Sequence, residues 1–363
     1  MDTNIDLWEG WKLPSTRYQG SKRKLVPWIH SNVRNLNFRS ALDIFGGTAV
    51  VSYLFKCMGK CVTYNDYLRS NYYVGQALIE NSAVRLTEAD VEHLLSFHEP
   101  PRRTFVSDTF GGKYYTDAEN RWIDRIVASI EQLDEIYSGE VLEYKAALAY
   151  YALSQSCLVK RPFNLFHRSN LYLRTSEVAR SFGNKTTWDR PFESLFKRFV
   201  DEVNGFIFSN GQHNIATNQD GFSLDDTKYD LVYIDPPYFS KDRSPVECDY
   251  SRMYHFLEGL ANYDSWSTLI DYNSLNLHFR ENGYRWPEKN SILDRFDKLL
   301  GKLSKSIIVL SYKSPGIPTE EELVSMMRKH KRNVQVNRLP YRYALRKTRE
   351  KTSKDIELLI IGR

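Results

Sequence analysis

The chain has 363 residues, with 50 Lys+Arg against 45 Asp+Glu and 42% hydrophobic residues. That length suits one large α/β domain with an insert, or two domains, and no run approaches the ~18 apolar residues of a membrane span. Cys57, Cys61, Cys157 and Cys248 form no CxxC pair, which speaks against a disulfide scaffold or a structural zinc site. A reduced, cytoplasmic protein is expected, and the acidic start MDTNIDLWEG lacks the apolar segment of a secretory signal.

Short apolar runs bounded by turn residues recur at Ala41–Phe45, Cys61–Tyr64, Asn214–Thr217, Tyr229–Ile234, Ser306–Ser311, Val334–Leu339 and Ile356–Ile361. Buried parallel strands read this way, with helices between them. A helix is expected over Ala49–Met58, directly after Gly46-Gly47. Ser82–Phe97, Asp117–Ile136 and Val141–Leu158 have helical periodicity, clearest in Ile123, Ile126, Val127, Ile130 and Leu133. Leu158–Arg198 is weakly periodic. Ser240–Glu288 reads as a long functional loop with one helix near Met253–Tyr263. The last two runs, separated by a basic stretch, predict a C-terminal hairpin closing the sheet. The expected organisation is therefore a discontinuous α/β core, residues 1–75 and 205–363, with a mainly helical insert over 76–204.

The charge is unevenly distributed. Residues 80–143 carry 6 basic and 14 acidic side chains, a net of −8; residues 144–198 carry 10 and 3, a net of +7; residues 328–354 carry 11 and 1, a net of +10. Residues 17–39 add 6 basic side chains and no acid. Basic clusters interleaved with 24 Tyr, 19 Phe and 7 Trp point toward a polyanion, nucleic acid above all. A single such cluster is as readily a solvated face.

The sharpest motif is Asp235-Pro236-Pro237-Tyr238, directly after the run Leu231–Ile234. By average residue usage the tetrapeptide arises by chance in about one chain of this length per thousand. The carboxyl end of a parallel strand is where open α/β sheets bind ligands. Two prolines stiffen the loop. Such a loop can offer a carboxylate and a backbone carbonyl side by side, with a ring to stack on, which suits an exocyclic amine on a planar heterocycle. A second motif is Asp43-Ile44-Phe45-Gly46-Gly47, a strand ending in Asp, then glycines, then a helix, which lets backbone approach a cofactor. It lacks both the Lys-Ser/Thr ending of a P-loop and the full G-x-G-x-x-G spacing. Asp66, after the second strand, stands where acidic groups bind ribose hydroxyls, or where a helix needs an N-cap. Tyr18-Gln19-Gly20-Ser21-Lys22 is a Gly-Ser turn carrying a lysine, suited to a carboxylate or phosphate, or to a basic helix start.

Taken in order, these motifs resemble the D12 class of DNA adenine-N6 methyltransferases, which includes Dam-type enzymes and many restriction-modification methylases. The resemblance covers roughly residues 15–70 and 213–363. It implies a Rossmann-like class I methyltransferase mixed sheet with a C-terminal hairpin, and S-adenosylmethionine as cofactor. Tyr18, Lys22, Asp43, Phe45, Gly46, Gly47, Asp66, Asp220 and Asp235 would hold the cofactor, and Asp235, Pro236, Pro237 and Tyr238 would bind and orient the target adenine. Asp220 can equally be a turn residue. Ile44 replaces the usual proline and Ala49 the second glycine; alanine is the smallest substitute, so the cofactor site is expected to survive. Lys160–Arg174 sits where such enzymes carry a DNA-contact segment. Lys160, Arg161, Asn164, Arg168, Asn170, Arg174 and Lys185 are the candidate DNA-binding residues, with the acidic helices before them as support or as a partner surface.

On that reading a target adenine leaves the duplex, stacks on Tyr238 and donates its amine hydrogens to Asp235 and the Pro236 carbonyl, so transfer needs neither a cysteine nucleophile nor a metal. His255 is assigned to packing or DNA contact. The implied partners are double-stranded DNA and a cognate restriction endonuclease. Three rivals stand beside this reading: an RNA N-methyltransferase, a cytosine-N4 enzyme, whose Asp is usually Ser, and a non-catalytic nucleic-acid-binding subunit of the same fold.

Overall fold

The computed structural model describes residues 7–8, 11–15, 17–18, 20–97, 101, 103–166, 171–176, 185–224, 228–238, 249–280, 289–341 and 355–363. All seven apolar runs become strands of one sheet. They are β1 (Ser40–Asp43), β2 (Cys61–Asn65), β3 (Ile215–Thr217), β4 (Leu231–Ile234), β5 (Ile307–Ser314), β6 (Val334–Pro340) and β7 (Ile356–Gly362). Their order across the sheet is β3-β2-β1-β4-β5-β7-β6. β3, β2, β1, β4 and β5 pair in parallel, whereas β7 runs antiparallel to both β5 and β6. The expected hairpin thus forms, and its second strand wedges between β5 and β6. This is the mixed α/β methyltransferase-like sheet that the motifs implied.

The central strands are buried on both faces, which explains their lack of polar alternation. On one face Leu42, Ile44, Val232, Ile234, Ile308, Leu310, Leu358 and Ile360 pack against two helices, α9 (Lys289–Lys302) and α10 (Glu320–His330). On the other face Ala41, Leu231, Tyr233, Val309, Leu359 and Ile361 meet α1 (Val26–Val33), α2 (Val50–Cys57) and helices between β2 and β3.

α3 (Arg69–Gly75) continues as one π-helical turn, Gln76–Glu80, into the stretch expected to form an insert. α4 (Glu88–Ser96) is shorter than its periodic stretch because Thr87 ends the preceding turn in a capping box with Asp90. α5 (Asp117–Glu131) starts with the same device, Thr116 and Glu119. α6 (Gly139–Val159) packs against α7 (Phe192–Asn204). The sequence predicts only weak periodicity through Arg198, yet Phe192, Leu195, Phe196, Phe199, Val200 and Val203 are all buried at three- and four-residue spacing. The polar stretch before Phe192 had masked that stripe. After β4, α8 (His255–Ala261) stands where a single helix was expected, flanked by short helical turns at Tyr250–Met253, Tyr263–Ser265 and Trp266–Leu269. The apolar residues of α5, α6 and α7 are continuous with the sheet core. Among the described residues no helix is long and apolar enough to cross a membrane.

Candidate active site

Because β3, β2, β1, β4 and β5 run parallel, their carboxyl ends share one edge of the sheet. That edge collects Asp43 at the end of β1, Asp66 one residue past β2, Asp220 three past β3 and Asp235 one past β4. A single cavity opens there, lined among others by Tyr18, Lys22, Asp43, Phe45–Gly47, Asp66, Asp220 and Asp235–Tyr238. Every residue assigned from the motifs to the cofactor or the target base therefore meets the same space, although they span more than 200 positions of chain. The parallel topology brings them together.

The floor of the cavity is the loop between β1 and α2. Gly47 has φ +50°, and Ala49, the N-cap of α2, has φ +60°, so the alanine that replaces a family glycine is held in a left-handed conformation. Asn65 fastens the loop by donating from Nδ2 to the Ile44 carbonyl at 2.9 Å and the Gln219 carbonyl at 3.0 Å. Tyr64 donates its hydroxyl to the Gly47 carbonyl at 2.8 Å, with its ring lying between Gly46 and Gly75. A Cβ built on Gly46 would lie 2.1 Å from that ring, and one on Gly75 would lie 2.3 Å from it. Gly46 is thus required by close packing against Tyr64. Asn65 and Tyr64 were not singled out in the sequence, where both look like ordinary strand residues.

Asp43 is fully buried. Its Oδ2 accepts from Ser52 at 2.7 Å, while its Oδ1 is buried with no hydrogen-bond partner among the described residues. Burial pushes the carboxyl up to about 7; Ser52 works against that shift, and Asp235 and Asp66 add to it. Asp66 accepts from the Gly47 amide on Oδ2 and from the Leu68 amide on Oδ1, both at 2.8 Å, so it ties the glycine loop to the turn leading into α3. Burial lifts its carboxyl to about 6 against the pull of those two amides. Asp220 makes a short turn, accepting from the Phe222 amide at 3.1 Å, and Phe222 lies 5.6 Å from the Phe45 ring at the cavity wall.

The opposite wall holds the Asp-Pro-Pro-Tyr loop. Asp235 Oδ1 accepts from Lys22 Nζ at 2.8 Å and from the Tyr238 hydroxyl, and Lys22 also donates to that hydroxyl. Burial alone would lower the Lys22 ammonium, yet Asp235 and Glu357 outweigh it and hold the group above its ordinary value. Tyr238 packs edge-on to Tyr312 with ring centres 5.1 Å apart. Tyr18 stacks on Tyr254 at 4.1 Å and on Tyr250 at 5.4 Å, and Tyr250 joins the cavity lining. Glu357 and Tyr250 were missed. For Glu357 there was a signal, since a lone acid inside the apolar run Ile356–Ile361 has to be paired if the strand is buried.

The candidate DNA-binding residues fare differently. Lys160 and Arg161 are 1% and 2% exposed, against the expectation that they face DNA. Lys160 donates to Glu119 at 2.7 Å and to the Trp188 carbonyl at 2.8 Å. Arg161 donates to the Tyr114 carbonyl at 2.6 Å and lies over the Tyr114 ring. Arg174 likewise turns inward, bonding Glu119 and the Trp188 carbonyl. These three are corrected to internal supports: Glu119 of the acidic helix α5 pairs with Lys160 and Arg174, and Arg161 is held by Tyr114. Asn164 is half-buried with φ +56°. Arg168, Asn170 and the Lys185 side chain lie outside the described residues. His255 is fully buried with Nε2 2.9 Å from the Tyr114 hydroxyl, a packing role.

The sheet order and the motif-lined cavity define an α/β methyltransferase-type protein. Residues 18–264 match the family model of D12 class N6 adenine-specific DNA methyltransferases, and the chain belongs to that family. It is 30% identical over 357 residues to the type II methyltransferase M2.HphI of Haemophilus parahaemolyticus, covering 96% of this chain and 98% of the relative. It is 27% identical to the modification methylase StsI of Streptococcus sanguinis and 26% identical to the type II methyltransferase M.FokI of Planomicrobium okeanokoites. Those two matches cover 94% and 93% of this chain but 51% of each relative, so the chain spans about half their length. The adenine-specific DNA methyltransferase class expected from the motifs is borne out.

Proposed function

We propose that the protein transfers a methyl group from S-adenosylmethionine to the N6 amine of an adenine at a specific DNA site, as the modification enzyme of a restriction-modification system. The observation that carries this reading is the meeting, in one cavity, of Asp235–Tyr238 with the Asp43–Gly47 loop and an unpartnered Asp43 Oδ1. The names of the relatives support the modification role. Residues 1–75 and 205–363 would form the catalytic unit and 76–204 the recognition insert, with Asn164, Arg168, Asn170 and Lys185 as its remaining candidate DNA contacts.

The cavity suits the cofactor chemically. S-adenosylmethionine carries a sulfonium and an ammonium, and when bound it supplies an electrophilic methyl. A buried acid with an orphaned oxygen, as Asp43 has, is matched to such a cation. The glycine floor admits a ligand close to backbone, and Asp66, Asp220, Phe45 and Tyr18 line the remaining length. On the target side, the adenine amine is a weak nucleophile because its lone pair is delocalised into the ring. Asp235 Oδ2 accepts no hydrogen bond from the described residues, since Oδ1 takes both Lys22 and Tyr238. Oδ2 and the Pro236 carbonyl accept the two amine hydrogens and draw the nitrogen toward a pyramidal, nucleophilic form. Tyr238 provides the stacking face, and the rate enhancement comes chiefly from positioning.

Asp43 makes cofactor binding pH-dependent. Below its value of about 7 the carboxyl is protonated and loses its attraction for a cation, so affinity rises with pH. The affinity for S-adenosylmethionine should tighten about five- to tenfold between pH 6 and pH 7.5, with proton release measurable by calorimetry in buffers of different ionisation heat. Asp43→Asn should bind weakly and flatten this dependence; an unchanged pH profile in that variant would remove Asp43 from the site. The overall assignment is tested by expressing the protein in a methylation-free host and mapping N6-methyladenine across the genome. One short motif methylated throughout is the expected result. An unmodified genome, or methyl groups confined to RNA, overturns it.

A further inference from the structure

Glu357 is fully buried in β7, between the core strands, where a carboxylate is costly unless it is paired. It shares a sheet face with Val309, Ser311, Leu359 and Ile361, and Ser311 Oγ donates to its Oε1 at 2.6 Å. That oxygen lies 3.6 Å from Lys22 Nζ. Lys22 in turn bonds both functional groups of the Asp-Pro-Pro-Tyr loop, Asp235 and the Tyr238 hydroxyl. The ammonium therefore stands between two carboxylates, one in the cavity wall and one behind it.

We propose that Glu357 is a positioning residue for methyl transfer: it holds the back of the Lys22 ammonium so that Lys22 pins Asp235 Oδ1 and leaves Oδ2 aimed at the incoming amine. This rests on the methyl-transfer reading above. The physical reason is division of charge. An ammonium facing Asp235 alone would follow that carboxylate and withdraw its electron density, making it a poorer acceptor for the adenine amine. Shared with Glu357, and fixed through Ser311 to β5, the ammonium keeps one place and polarises Asp235 less. The groups facing Lys22 are Asp235 and Tyr238 from the loop after β4, Glu357 from β7, and Tyr341 just beyond β6. Removing the Glu357 charge weakens the hold on the Lys22 proton, so the alkaline limb of the rate profile should move to lower pH.

The test is Glu357→Gln beside Glu357→Asp in the full-length protein, with tritiated-methyl transfer to adenine-containing duplex DNA as the readout. Glu357→Gln should lower kcat about 10- to 100-fold while leaving S-adenosylmethionine affinity within about threefold, the pattern of a displaced reacting group. Its alkaline limb should shift acidward, and Glu357→Asp, which keeps the charge, should recover part of kcat and restore the limb. A folded Glu357→Gln with wild-type kcat and limb overturns the proposal. So does a loss that disappears at lower temperature, which marks a purely structural role. If Glu357→Gln does not fold, Glu357→Asp decides: a wild-type kcat together with a shifted limb would contradict the charge-sharing role. If the wild type itself transfers no methyl group to adenine, the methyl-transfer reading fails instead.

Discussion

Asp235→Asn should lower kcat by about 10²–10⁴-fold, the range for loss of a positioned proton-accepting group, without unfolding the protein. The substitution preserves volume and exchanges one acceptor oxygen for a donor amide. In many settings an asparagine could turn its remaining oxygen toward the substrate. Here it cannot serve both sides, because the wild-type carboxylate takes Lys22 and Tyr238 on Oδ1 and, in the mechanism proposed, keeps Oδ2 for the amine. With the amide nitrogen toward Lys22, donor meets ammonium; with it toward the cavity, donor meets the adenine amine. Either orientation loses one contact that the aspartate makes. Thermal melting should stay within a few degrees of wild type, and the variant should still bind cofactor measurably. Methyl transfer within tenfold of wild type would show that Asp235 is not the amine acceptor. Asp235→Ala should lose transfer at least as completely, but with lower stability, because Lys22 then loses its shortest carboxylate contact.

Much of this site was legible in the primary sequence, for a physical reason. Parallel strands buried on both faces have to be short continuous apolar runs, and their carboxyl ends have to face one edge. Asp43, Asp66 and Asp235 can therefore be placed together from the sequence alone. What stayed hidden were contacts that depend on register. Ser311 reaches Glu357 only because Ser311 pairs with Leu359 across β5 and β7, which sets Glu357 diagonally beside it. The supports Tyr64 and Asn65 act through bonds to the backbone at Gly47, Ile44 and Gln219, and no spacing rule announces those.

The insert shows a limit of charge counting. Its swing from −8 to +7 suggested a basic face turned to DNA above acidic supports. Part of that swing is instead internal pairing between the two halves: Lys145 bonds Asp90, while Lys160 and Arg174 both bond Glu119. Asp90 is held down to about 2 by Lys145, Tyr137 and Thr87, against the opposing effect of burial. The acidic helices thus support the basic segment from within, one of the two roles the sequence left open. A basic residue two or three positions from an aromatic reads alike whether it stacks inside a helical layer, as Arg161 does on Tyr114, or outside against a phosphate.

The buried Lys22 is the residue on which stability and catalysis meet most directly. Lys22→Met should cost about 3–5 kcal/mol at neutral pH, the range for stripping one partner from a buried ion pair. Methionine fills similar space but leaves Asp235 and Glu357 facing each other without a cation. The sign with pH follows from that pair. Uncompensated buried carboxylates favour protonation, so the variant should regain stability as pH falls, and the gap to wild type in urea unfolding should be narrower at pH 5.5 than at pH 8. In the wild type the contribution of Lys22 is present below its ordinary value and lost only as pH rises through the raised one, so it is constant across that window. Adding Glu357→Gln to Lys22→Met removes one of the two stranded charges and should recover a large part of the lost stability. Activity should not return with it, because nothing then pins Asp235 Oδ1 beside Tyr238. A double variant that recovers both would make Lys22 a structural neutraliser only, and one that recovers neither would mean that Glu357 and Lys22 do not act as a pair.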